Sequence, residues 1–101
     1  MTVCEEMQQL RQMLDAKKIK WIDKSEDYSK PEFKMWICRT HFDYDGHHYS
    51  VINGFGTYGG WHGFNAGVNE SDNMGLLELA EGYDVIKGWM TAEQVIKAIV
   101  G

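Results

Sequence analysis

Asp45-Gly46 constrains this chain of 101 residues more than any other pair in it. Asp-Gly is a preferred dipeptide of the two-residue type I′ turn, whose central residues both need positive φ. It stands between Lys34–Tyr44 and His47–Gly54, two runs that read as the arms of a hairpin. Such a turn fixes register, so opposed residues must have numbers summing to 91, as 45 and 46 do. Trp36, Cys38, Thr40, Phe42 and Tyr44 then share a face with Phe55, Asn53, Val51, Tyr49 and His47. Ile37, Arg39, His41 and Asp43 share the other with Gly54, Ile52, Ser50 and His48. The first face is largely apolar and aromatic; the second carries charge and imidazoles. A shifted register would scramble that separation.

Helices are signed towards both ends. Thr2 and Glu5 fit a capping box, and Val3, Met7, Leu10 and Leu14 recur at helical spacing, with Glu6, Gln9 and Gln12 turned outward. Lys17 and Lys18 suit that helix's C-terminus. For the second helix, Thr91 reads as N-cap with Gln94 at N3, Met90 and Val95 as a hydrophobic staple, and Val95, Ile96, Ile99 and Val100 as the buried stripe. Ile19–Ile22 reads as a short strand and Tyr83–Gly88 as an extended piece. Gly75–Ala80 reads as a strand, with a short helix as the alternative. Asp23–Glu32, polar and holding the single proline, reads as the least structured stretch. The expected fold is α+β: an antiparallel sheet built on the central β-hairpin, covered by an N-terminal and a C-terminal helix. Residues 1–101 are expected to form a single domain, without internal repeat or linker.

Charge and cysteine content narrow the function. A net charge of −5 lacks the basic footprint that long nucleic acid demands. No apolar run approaches the ~20 residues of a membrane span, and MTVCEEMQQL does not resemble a signal peptide. A cytoplasmic protein is expected, for which the sequon Asn69-Glu70-Ser71 has no meaning. Cys4 and Cys38 fit no disulfide framework or metal spacing; Cys4 reads as a buried small residue, with a reactive thiol as the alternative.

Residues 54–67, GFGTYGGWHGFNAG, interleave six glycines with aromatics at every third position. The G-x-G-x-x-G match within it opens no helix, and no kinase-type valine or lysine strand follows it, so both nucleotide-fold readings fail. Tyr58, Trp61 and Phe64 could stack a planar ligand while Arg39 pairs with its charge and Asn53 and His62 hydrogen-bond to it. The same rings could instead face a protein partner or seal one end of the sheet. His41, Asp43 and His48, all on the charged face, are the ligand types of a hydrolytic or non-haem iron metal site. The alternative is a polar hairpin tip whose residues simply meet water. No nucleophile elbow or cysteine–histidine pairing is present, and the carboxylates of Asp23–Asp27 read as a solvated surface.

WICRTHF, YSVINGFGTYGGW, GLLEL and GWMTAEQVI together resemble small uncharacterised proteins encoded by phages and prophages of Firmicutes. The resemblance implies a compact cytoplasmic accessory protein of a mobile element, acting by binding, and it carries no catalytic residues. The first expectation is a non-enzymatic homo-oligomer that sequesters a small planar anionic ligand such as a signalling nucleotide, as an anti-defence sponge, with no cofactor. The second is a protein-directed inhibitor of a host nucleic-acid-binding enzyme, of anti-CRISPR or DNA-mimic type. The third is a metal-dependent enzyme at His41, Asp43 and His48.

Overall fold

The structure, a computed structural model, describes residues 3–32, 35–54, 73–79 and 82–101. In chain order these form helix α1 (Glu5–Ala16), strands β1 (Trp21–Asp23), β2 (Glu26–Asp27), β3 (Trp36–Tyr44), β4 (His47–Gly54), β5 (Met74–Leu79) and β6 (Tyr83–Met90), and helix α2 (Ala92–Val100). The strands make one six-stranded sheet in the order β1-β3-β4-β5-β6, with β2 also paired to β3. All pairings are antiparallel. This is the α+β architecture expected from the sequence. No helix among the described residues is long and apolar enough to cross a membrane.

The hairpin forms in the register its turn dictates. Asp45 and Gly46 have φ of 50° and 79°, the positive pair of a type I′ turn. From Tyr44↔His47 to Ile37↔Gly54 every pairing sums to 91. Gly54 is required by close approach: a Cβ there would sit 2.8 Å from Ile37 Cγ1 and 3.0 Å from Ile37 Cα. The proposed Trp36–Phe55 pair lies outside the described residues.

One sheet face is apolar and both helices lie on it. Met7, Leu10 and Leu14 of α1 and Ala92, Val95 and Ile96 of α2 join Cys38, Phe42, Val51, Met74 and Leu76 in a single core. Thr40, buried among them, donates from Oγ1 to Met7 Sδ at 3.1 Å and accepts from Arg11 Nε at 2.9 Å. The same guanidinium reaches Asp23 at 3.1 Å and lies 4.7 Å from the Trp21 ring centroid. Arg11 thus fastens α1 to two strands at once. Cys4 is buried in this core, so it packs as a small apolar residue.

Several local expectations need correction. Helix α1 is N-capped by Cys4, with no side-chain cap bond, and not by Thr2, which lies outside the described residues. Glu6 does not point to solvent. Its carboxylate accepts from the N–H of Ala92 at 2.8 Å, supplying negative charge and an acceptor to the first turn of α2. The capping box of α2 at Thr91 and Gln94 forms as expected, but Val100 is 40% exposed and Ala92 takes its place in the core. Residues 23–32 are not all loop, because β2 rejoins the sheet. Its pairs with β3 sum to 63, as those of β1 do, so β1 and β2 are one edge strand interrupted at 24–25. There the Ser25 hydroxyl replaces a strand partner, accepting from the Arg39 N–H at 2.9 Å. At the opposite edge, β6 slips register twice against β5 and leaves Val85, Ile86 and Trp89 exposed. Bulges of this kind blunt a free edge against stray pairing.

The end of α1 is a Schellman motif built without glycine. Ile19 N donates to Leu14 O at 2.9 Å and Lys18 N to Asp15 O at 3.0 Å, with Lys18 at φ 58°. A side chain in that left-handed region is strained, and glycine is not. Lys18→Gly should therefore raise the stability to urea by about 1 kcal/mol. An unchanged or lowered unfolding midpoint would contradict this account of the turn.

Candidate functional site

The second face of the sheet, away from both helices, carries a hollow of about 820 Å³. That volume lies within the ordinary range for small-ligand sites. Arg39, His41 and Ser50 give it polar groups, while Ile52, Leu77, Leu79 and Val85 give it an apolar lining. Register explains the gathering: Ile52 pairs with Arg39 and Ser50 with His41 across the hairpin, and Leu77 pairs with Ser50 from β5. Ser50 and Leu77 are buried there, outside the core cluster of the helix side. Sequence reading found Arg39 and His41 but missed Leu77 and Leu79. Their i, i+2 spacing in GLLEL was the available signal, since it puts both on one face of a strand.

Arg39 is held in place from the sheet edge. Its Nη1 lies 3.6 Å from Glu26 Oε1 and 3.4 Å from the carbonyl oxygen of Lys24. Asn53 does not share this site. It sits on the helix-covered face, 1% exposed, where its Nδ2 donates to Asn73 O at 2.9 Å. A residue facing the core cannot meet a ligand held by Arg39 on the other side of the same sheet. Asn53 instead ties the end of β4 to the approach to β5. Tyr58, Trp61, His62 and Phe64 lie outside the described residues.

His41, Asp43 and His48 do come together. His48 Nδ1 donates to Asp43 Oδ1, and the His41 and His48 rings stand edge-on with centroids 5.5 Å apart. They do not make a three-ligand metal centre. Among the described residues no group of three His, Cys, Asp or Glu is placed to hold a metal ion. Asp43 is committed to the inner nitrogen of His48, which keeps its carboxylate behind that ring. His47 faces the other way and meets Glu78 Oε2 at 2.9 Å.

No protein-family model, curated protein or solved structure matches the chain.

The two imidazoles His41 and His47 are tuned in opposite directions from the ordinary 6.5. Burial, then the positive charges of His48, Arg39 and Lys24, holds His41 down. The hydrogen bond with Glu78, then its charge, pushes His47 up. The signs follow from linkage. The His47–Glu78 contact stabilises fully below pH ~6.5 and fades as pH rises through the raised His47 pKa. His41 opposes folding as pH falls below ~6.5 toward its own depressed pKa. An NMR titration of the imidazole Cε1 protons should place the His47 midpoint above 6.5 and the His41 midpoint below it. The reverse order would contradict the assigned environments.

Proposed function

We propose that this protein is a non-enzymatic binding protein that holds a small planar anion, such as a nucleotide, in the hollow on the sheet face away from both helices. The observation that carries the reading is the half-buried Arg39 guanidinium beside an apolar floor. Two contacts fix its position, and a guanidinium has five N–H donors, so it has others to present to a phosphate or carboxylate. Partial burial strengthens that pairing by lowering the surrounding dielectric. Ile52, Leu77 and Val85 offer flat apolar contact to a base or similar ring. Ser50 and a neutral His41 add hydrogen bonds that fix orientation without adding charge. In the setting that the phage resemblance implies, such a protein acts as a sponge for nucleotide signals.

A protein-directed inhibitor is the second reading, and one observation favours it. Val85, Ile86 and Trp89 leave 43%, 46% and 60% of their surfaces exposed on β6, the last strand of the described sheet. Exposed aromatic and aliphatic groups of this kind are common anchors of protein interfaces.

Thermal shift against a panel of mono-, di- and cyclic nucleotides separates the two. The first reading predicts a melting temperature that climbs with the concentration of at least one nucleotide. Arg39→Ala should abolish that rise while leaving the unliganded protein folded, and Arg39→Lys should restore little, since lysine lacks the planar fork. A rise of equal size in Arg39→Ala, or none with any nucleotide, would overturn it.

A further inference from the structure

A second constellation lies beside the hollow, nearer the hairpin tip, and does not depend on the nucleotide reading. Register puts His48 directly opposite Asp43, and His41 two residues from Asp43 on the same face. A carboxylate only accepts, so Nδ1 of His48 donates in the His48–Asp43 bond and Nε2 is the nitrogen turned away from it. Histidines that ligate metals are commonly held by a carboxylate on the far ring nitrogen in this way.

The separation of the two rings decides what they can do together. In a zinc site the Zn–N bond is about 2.0–2.1 Å, and adding about 1.1 Å from nitrogen to ring centre puts each centroid ~3.2 Å from the metal. Two such centroids at a tetrahedral angle are then ~5.2 Å apart. The observed 5.5 Å differs by a few tenths of an ångström. The ring planes are 89° apart in a T-shaped pair, so one ring must turn about its side-chain bonds to aim a nitrogen at the shared position, and His41, only partly buried and with no hydrogen bond like that of His48 to Asp43, is the ring to do so. A second hollow, of about 560 Å³, opens beside these rings and Trp21 and Ile22, leaving space for water on the metal.

We propose that His41 and His48 together bind one imidazole-preferring divalent ion such as Zn2+, with Asp43 orienting His48 and water completing the coordination. This replaces the three-ligand centre with a pair of imidazoles and a supporting carboxylate. Two protein ligands leave the remaining positions to water or an exchangeable anion.

Calorimetric titration of the full, tag-free, chelator-stripped chain with zinc chloride tests it. The expected result is saturable binding of one equivalent. His41→Ala and His48→Ala should each weaken binding at least tenfold, and Asp43→Asn about tenfold. His47→Ala should leave it unchanged. Should a variant fail to fold, zinc added to the unaltered protein must shift or broaden the imidazole Cε1 signals of both His41 and His48. No binding at millimolar zinc, binding that survives both alanine variants, or signal changes confined to His47 and His62 would overturn the proposal.

Discussion

The type I′ turn at Asp45-Gly46 sets β3 against β4 in one register, and the rest of the molecule inherits that choice. A strand alternates its side chains, so fixing one pair fixes which side chains are offered to each face. Here the offer is lopsided. Cys38, Thr40, Phe42 and Val51 go to the helices; Arg39, His41, Asp43 and His48 go the other way. A one-residue slip would put either Arg39, His41 and Asp43 or His48 beneath α1 and α2. Leaving even one such charge buried and unpaired costs several kcal/mol, a large part of the stability of a domain this size. The observed register therefore faces no close competitor.

The helices exploit the apolar face and secure each other. Arg11 bridges from α1 to Thr40 and Asp23, and Glu6 crosses 86 residues of sequence to the first free N–H of α2. The second contact satisfies an orphan donor and complements the helix dipole, so α1 helps to terminate α2 correctly. The polar face has no such covering among the described helices. Its functional groups are presented by central strands and kept in place by the edge: Ser25 and Glu26 hold Arg39 by backbone and side chain. Rigid strands thus position the groups of both the Arg39 hollow and the His41–His48 pair.

What the sequence made legible was local chemistry with a fixed geometry. The Asp45-Gly46 turn, the Thr91–Gln94 capping box and the stripe of Met7, Leu10 and Leu14 each follow from a short-range rule, and each stands in the structure. Contacts made at long range were not legible. Nothing near Glu6 in the chain announces Ala92 as its partner, and nothing near Ser25 announces Arg39. The end of α1 at Lys17 and Lys18 was legible, but its left-handed turn was not, because that position carries lysine where glycine is usual. Asn53 was separated from Arg39 by the alternation that paired it with Cys38; the error lay in placing both at one ligand despite their opposite faces. The aromatic members of the expected site, Tyr58, Trp61 and Phe64, lie outside the described residues. Among the described residues the hollow is lined by Arg39, His41 and their neighbours.

The nucleotide and metal proposals together need Arg39, His41, Asp43, His48, Ser50 and Ile52 side by side on the face away from the helices, so the register itself is the claim to test. Beside a two-residue turn the flanking pair, Tyr44 and His47, is hydrogen-bonded, and pairs alternate from there. Asp43/His48, His41/Ser50 and Arg39/Ile52 are then the close, non-hydrogen-bonded pairs, with Cα atoms ~4.5 Å apart. A nuclear Overhauser spectrum in heavy water reads this directly. The account predicts strong Hα–Hα cross-peaks for those three pairs. Cross-peaks displaced by one residue, such as His41 to Val51 or Asp43 to Tyr49, would contradict it.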